Sequence, residues 1–86
     1  MTFDIYTTKT CPHCIKAKAL LDSKGYKYRE FVVGSGTIVR ENIQDRVDKL
    51  GVRAQIRTVP QIFLMKNGLE TYIGGSDDLS AKIDTL

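Results

Sequence analysis

The only two cysteines and the only histidine of this 86-residue chain fall in four consecutive positions, Cys11-Pro12-His13-Cys14. Such residues serve metal binding, structural cross-linking or thiol–disulfide exchange. A structural zinc site wants four ligands, and here two thiols and one imidazole stand together. His13 lies between the cysteines and so projects away from them on a helical turn, and no metal is expected. As a staple the pair is poor, because a bridge between Cys11 and Cys14 closes a very short loop and constrains the unfolded chain little. Two unreactive cysteines at this spacing by chance are the plain alternative. A redox pair fits the pattern best: C-x-x-C before a helix, in a strand–helix setting, is a thiol–disulfide exchange signature.

An unperturbed thiol has a pKa of about 8.5, so little of it is ionised at neutral pH. The thiolate is the attacking species. Placed just before a helix, Cys11 faces unpaired backbone N–H groups and the positive end of the helix dipole, and both favour the anion. Lys9 adds positive charge nearby, as does His13 when protonated. Pro12 suits the first helical turn, where a missing N–H costs nothing. The expected roles are attack by Cys11 and resolution by Cys14, one turn into the helix and more buried.

These residues need a strand before them and a helix behind. Phe3 to Tyr6 reads as a short strand, and a loop from Thr7 to Thr10 leads to Cys11. Pro12 to Lys24 is rich in helix formers, and Gly25 is a natural stop. Tyr26 to Val33, β-branched and aromatic, reads as a second strand broken by Gly34, Ser35 and Gly36. Val39, Ile43, Val47 and Leu50 mark an amphipathic helix ending at Gly51. Gln61 to Met65 reads as a central strand, Asn67-Gly68 as a hairpin turn, and Glu70 to Ile73 as its return strand. Ser76 reads as an N-cap, Asp77 and Asp78 suit a helix N-terminus, and Leu79, Ile83 and Leu86 form a last apolar stripe. The order β-α-β-α-β-β-α predicts an α/β domain with one four-stranded mixed sheet flanked by three helices. Tyr6, Tyr26, Tyr28 and Tyr72 are expected in the sheet and core, and Lys16 and Lys18 on a solvated helix face.

Composition sets the outer limits. With 42% hydrophobic residues in 86 positions, the chain can bury one modest core, and residues 1–86 read as a single domain. A net charge of +3 is compatible with anionic small molecules or acidic surfaces. No basic block interleaved with aromatics points to nucleic acid. The N-terminus lacks the apolar core of a signal peptide, and no apolar run approaches membrane-spanning length. The expected location is the cytoplasm, where structural disulfides are rare.

Three motifs in order, CPHC at 11–14, TVP at 58–60 and GGSDD at 74–78, resemble those of dithiol glutaredoxins, and the likeness runs along nearly the whole chain. The resemblance implies a thioredoxin fold and reduction of protein disulfides and protein–glutathione mixed disulfides with glutathione as reductant. It implies that Cys11 is the nucleophile that becomes glutathionylated and Cys14 the resolving thiol. It places a glutathione-binding site on Lys9, Arg57, Thr58, Val59, Pro60, Gly75, Ser76, Asp77 and Asp78. There Val59, before a cis-proline, would pair its backbone with the cysteinyl main chain. Pro60 would hold that geometry, and Gly75 would permit close approach. The Asp77 N–H would meet the γ-glutamyl carboxylate, and the Asp78 side chain the γ-glutamyl ammonium. Arg57 resembles a basic position near the glycyl carboxylate.

Two departures stand out. Many relatives carry Tyr where this chain has His13, and the substitution predicts a more oxidising pair, because stabilising the thiolate stabilises the reduced form. Many also carry Lys three residues before the first cysteine, where this chain has Thr8, with Lys9 beside it. The segment before TVP is longer than in many relatives, so Arg53 or Gln55 can replace or supplement Arg57. Disulfide-containing or glutathionylated proteins are the implied partners, with a ribonucleotide reductase as acceptor by family analogy, and a monomer is expected. Two other readings stay open: a thioredoxin-like donor served by a dedicated reductase, and a glutathione-ligated [2Fe–2S] carrier, against which Pro12 counts.

Overall fold

Strands β1 (Thr2–Thr7), β2 (Lys27–Val32), β3 (Gln61–Lys66) and β4 (Leu69–Gly74) form one sheet in the computed structural model, in the order β2-β1-β3-β4. The structure describes residues 1–9, 11–33, 37–53 and 59–86. The predicted loop residue Thr10, the break at Gly34, Ser35 and Gly36, and the Val39 side chain lie outside the described ones. Strands β1 and β2 run parallel, joined by helix α1 (Pro12–Ser23). The β1–β3 and β3–β4 pairs are antiparallel. Helix α2 (Thr37–Lys49) precedes β3, and helix α3 (Ser76–Lys82) follows β4 and runs into a 3₁₀ turn, Ile83–Thr85. This is the expected thioredoxin-type arrangement.

Local chemistry explains the element ends. Helix α1 stops at Gly25, whose φ of +71° favours glycine; the Gly25 N–H donates to Asp22 O at 3.0 Å and the Tyr26 N–H to Leu21 O at 3.1 Å. The β3–β4 hairpin turns on Asn67 (φ +54°) and Gly68 (φ +80°), the paired left-handed residues of a two-residue hairpin.

The strand period of two sorts the sheet into two faces. One face carries Phe3, Ile5, Ile62, Leu64 and Ile73 against Ala17 and Leu21 of α1, with Leu79 and Ile83 beyond β4. The other carries Phe63, with Tyr6 and Tyr72 beside it, against Ile43 and Val47 of α2. Each fully buried large apolar side chain contributes about 1.5–3 kcal/mol, so the two small cores fix the helices to the sheet and hold the first turn of α1 beside the C-terminal end of β1.

The second face also holds a buried acid. Asp4 is 1% exposed. Its carboxylate accepts from Arg29 Nε at 2.8 Å and Nη2 at 2.9 Å, and from Arg46 Nη2 at 2.9 Å. Arg46, on α2, also donates to the Tyr6 hydroxyl at 2.8 Å and to Glu70, and its guanidinium lies 4.3 Å from the centre of the Phe63 ring. Burying a charge is costly unless it is paired; here the pairing ties α2 to three strands.

Candidate active site

Cys11 is itself the N-cap of α1. Its backbone is extended (φ −107°, ψ 107°), and its carbonyl accepts from the Cys14 N–H at 3.1 Å and the Ile15 N–H at 3.2 Å. Its Sγ accepts from the same Cys14 N–H at 3.2 Å, so sulfur takes the place that a Ser or Asp oxygen takes in an ordinary cap. Pro12 occupies the first helical position. On its other side the Cys11 thiol donates to the carbonyl of Val59 at 3.5 Å. The reactive sulfur candidate thus sits between a helix N-terminus and the backbone before Pro60, whose peptide bond with Val59 is cis.

Cys14 faces inward and is 1% exposed, against 8% for Cys11. Burial pushes its thiol up to about 11, helped by the hydrogen bond with Cys11. The Thr8 backbone N–H at the sulfur and the Lys18 ammonium pull the other way. Lys18 is not on a plainly solvated face. It pairs with Glu30 of β2 at 2.9 Å, and the same Glu30 oxygen accepts from the buried Thr7 hydroxyl at 2.7 Å.

Beside Cys11 opens a cleft of about 470 Å³. His13 stands on its α1 side, and Val59, Pro60 and Gln61 form its floor. Gly75, Ser76, Asp77 and Asp78 form the opposite wall at the start of α3. Asp77 and Asp78 are exposed and acidic, while the Cys11 sulfur reaches the cleft floor through its contact with the Val59 carbonyl. The cleft therefore offers backbone groups in the middle and carboxylates at one end, with the Cys11 sulfur 3.5 Å from the Val59 carbonyl.

The sequence reading is corrected at Ser76. Gly75, not Ser76, is the N-cap of α3: the Leu79 N–H donates to Gly75 O at 3.0 Å, and Ser76 is the first helical residue, buried. The cap contact comes instead from Asp78, whose Oδ2 accepts from the Gly75 N–H at 3.0 Å. The crowded glycine is Gly74. It has a φ of +117°, and a Cβ there would stand 2.4 Å from the Asp78 carboxylate, whereas one on Gly75 would meet Pro60 O at an ordinary 3.5 Å.

Lys9 is exposed and is not part of the cleft wall, and Arg53 is likewise exposed. Arg57, Thr58 and Gln55 lie outside the described residues. Gln61 lines the cleft without being singled out from sequence, and Tyr72, expected mainly in the sheet and core with a groove-lining role as the lesser alternative, lines it too. The Tyr72 hydroxyl donates to Gln61 Oε1, and burial followed by the Asp78 charge raises the Tyr72 phenol above its usual range. Their only sequence signal is adjacency, Gln61 following Pro60 and Tyr72 preceding the GG turn. Among the described residues no cluster of three or more His, Cys, Asp or Glu could hold a metal ion. No described helix is long and apolar enough to cross a membrane.

A family model described as Glutaredoxin matches residues 4–68. Glutaredoxin 3 of Escherichia coli K12 is 41% identical over 78 residues, which cover 91% of this chain and 81% of that protein. Among solved structures, glutaredoxin 1 of Francisella tularensis, complexed with cacodylate, superposes with a TM-score of 0.72 at 29% identity, covering 96% of this chain and 92% of that one. The solution structure of glutaredoxin from Brucella melitensis superposes with a TM-score of 0.68 at 36% identity, covering 98% of this chain and 79% of that one.

Proposed function

The chain belongs to the glutaredoxin family, and we propose that it reduces protein disulfides and protein–glutathione mixed disulfides with glutathione as the electron source. The observation that carries this reading is the seat of the Cys11 sulfur, with the Cys14 N–H on one side at 3.2 Å and, on the other at 3.5 Å, the carbonyl of Val59, which lines the cleft.

In this reading the Cys11 thiolate attacks the glutathione sulfur of a mixed disulfide. The Cys11–glutathione bond forms, the old disulfide breaks, and the substrate leaves as a thiolate that takes a proton. A second glutathione then attacks the glutathione sulfur, releasing oxidised glutathione and the Cys11 thiolate. With a protein disulfide, Cys14 attacks Cys11 instead and closes the internal bridge. Loss of the Cys11 proton also frees the Val59 carbonyl from its S–H donor, leaving it to accept the cysteinyl N–H of the ligand. The Asp77 N–H and Asp78 carboxylate would hold the γ-glutamyl end, with Pro60, Gly75 and Ser76 shaping the wall. Pro12, His13 and Lys9 would tune the Cys11 thiolate, and His13 would make the pair more oxidising than Tyr would. Lys9, Arg57 and Thr58 are carried over from the family resemblance, with Arg53 and Gln55 as further candidates for the glycyl carboxylate. A single-domain monomer acting in the cytoplasm, with ribonucleotide reductase among its acceptors, completes the proposal.

The test is glutathione-coupled reduction of a small glutathionylated disulfide, followed as NADPH loss through glutathione reductase. Activity is expected in wild type and Cys14→Ser and not in Cys11→Ser. An inactive wild type overturns the glutathione assignment and turns attention to a dedicated reductase.

A further inference from the structure

Cys14 carries a particular burden. It must become an anion to close the internal bridge, yet it is almost wholly buried, and burial disfavours the charged form. The polar residues near it come from three elements. Lys18 follows Cys14 by four positions on α1 and so shares its helix face one turn on. The Lys18 ammonium is fixed by Glu30 of β2 at 2.9 Å. The same Glu30 oxygen accepts from the Thr7 hydroxyl at 2.7 Å, and Thr7 is fully buried at the end of β1. The backbone of the next residue, Thr8, favours the Cys14 anion, as does the Lys18 charge. The charged and titratable groups facing Cys14 are Cys11 and Lys18, with Glu30 and Tyr28 behind Lys18.

We propose that Lys18, held in place by Glu30 and Thr7, is a positioning residue for the resolving step: its charge supports the anion that develops on Cys14 as Cys14 attacks the mixed disulfide on Cys11. In that step the Cys14 S–H loses its proton to solvent. The Cys14–Cys11 bond forms as the bond from Cys11 to the substrate sulfur breaks, and the departing thiolate takes up a proton. No electrons enter from outside. Lys18 itself stays protonated throughout, since the Glu30 carboxylate and hydrogen bond raise its pKa. Its contribution is therefore purely that of a fixed positive charge. The inference rests on the assignment of Cys14 as the resolving thiol, but not on glutathione.

Reaction of the reduced protein with 5,5′-dithiobis(2-nitrobenzoate) separates the two thiols in time. Attack by Cys11 releases one coloured thiolate, and attack by Cys14 on the Cys11 mixed disulfide releases the second. In Lys18→Gln the second phase should slow relative to the first by about three- to tenfold near neutral pH, the scale of one partly screened charge at close quarters. Its pH profile should move to higher pH, because the anion loses its supporting cation. Lys18→Arg should restore both the rate and the profile. A second phase that is unchanged in Lys18→Gln, or slowed equally in Lys18→Gln and Lys18→Arg, overturns the inference, since a packing role would not distinguish charge from shape. Failure of the glutathione reading is a separate result: it silences the coupled assay in wild type while both coloured phases persist.

Discussion

The backbone N–H of Cys14 donates to the sulfur of Cys11 at 3.2 Å, so the second cysteine of the motif holds the first in its helix cap while its own side chain is buried. The two sulfurs share a C-x-x-C motif but have opposite environments. Cys11 caps the helix and receives a donor at its sulfur, while Cys14 is almost wholly buried and its burial outweighs the groups that favour its anion.

That contrast gives a pH-dependent stability. The folded-state Cys14 thiol, at about 11, lies well above the ordinary value of about 8.5. Between these limits the unfolded chain has released the proton that the folded chain still holds, so stability falls as pH rises. Compared with Cys14→Ser under reducing conditions, wild type should lose about 2 kcal/mol more between about pH 8 and about pH 10.5. Urea unfolding of both proteins across that range is the measurement, and parallel profiles would contradict the assignment.

The turn between β4 and α3 depends on one glycine of its pair. Gly74→Ala places a methyl in a backbone region that L-residues avoid and drives it into the Asp78 carboxylate. A loss of about 2 kcal/mol or more is expected. Gly75→Ala meets only ordinary contact and should stay within about 1 kcal/mol of wild type. Denaturant midpoints should rank Gly75→Ala well above Gly74→Ala; the reverse order would mean that the close approach lies at Gly75.

Arg46 ties α2 to the sheet through charge, beside the apolar contacts of Ile43 and Val47. Arg46→Leu leaves the buried Asp4 with only Arg29, whose own side chain is 65% exposed. Breaking a buried pair from one side costs about 3–5 kcal/mol. The double variant Asp4→Leu with Arg46→Leu should be less destabilised than the sum of the singles, because the apolar pair leaves no uncompensated charge from this contact. A double-mutant cycle in urea reads this directly, and strict additivity would show that the pair does not couple.

Features with local signals were legible in the sequence. Pro12 after Cys11, Gly25 after a run of helix formers, and Asn67-Gly68 between apolar runs each encode geometry within a few residues, and the structure places elements where they predict. The Arg46 network left no such trace, because Asp4, Arg46 and Glu70 come from distant parts of the chain and meet only when the sheet assembles. Lys18 reads as a surface lysine until β2 brings Glu30 alongside. A serine before two acids is a strong cap pattern and points to Ser76, whereas the N-cap is Gly75 and the capping oxygen belongs to Asp78. Gln61 and Tyr72 sit on strands whose apolar neighbours suggest core, and the cleft that exposes their polar ends exists only after folding.

Asp78 serves two purposes that one pair of variants separates. Its carboxylate accepts from the Gly75 N–H and faces the cleft at the proposed γ-glutamyl end. Asp78→Asn keeps an amide oxygen able to accept from Gly75 and removes the charge. Its stability should therefore stay within about 0.5 kcal/mol of wild type, while KM for the glutathionylated substrate rises several-fold through loss of a charged contact. Asp78→Ala loses the cap as well and should be destabilised by about 1 kcal/mol, with a similar rise in KM. If Asp78→Asn leaves KM unchanged while Asp78→Ala lowers stability, the carboxylate is a helix cap only, and the ammonium of the ligand must be held elsewhere along the α3 wall.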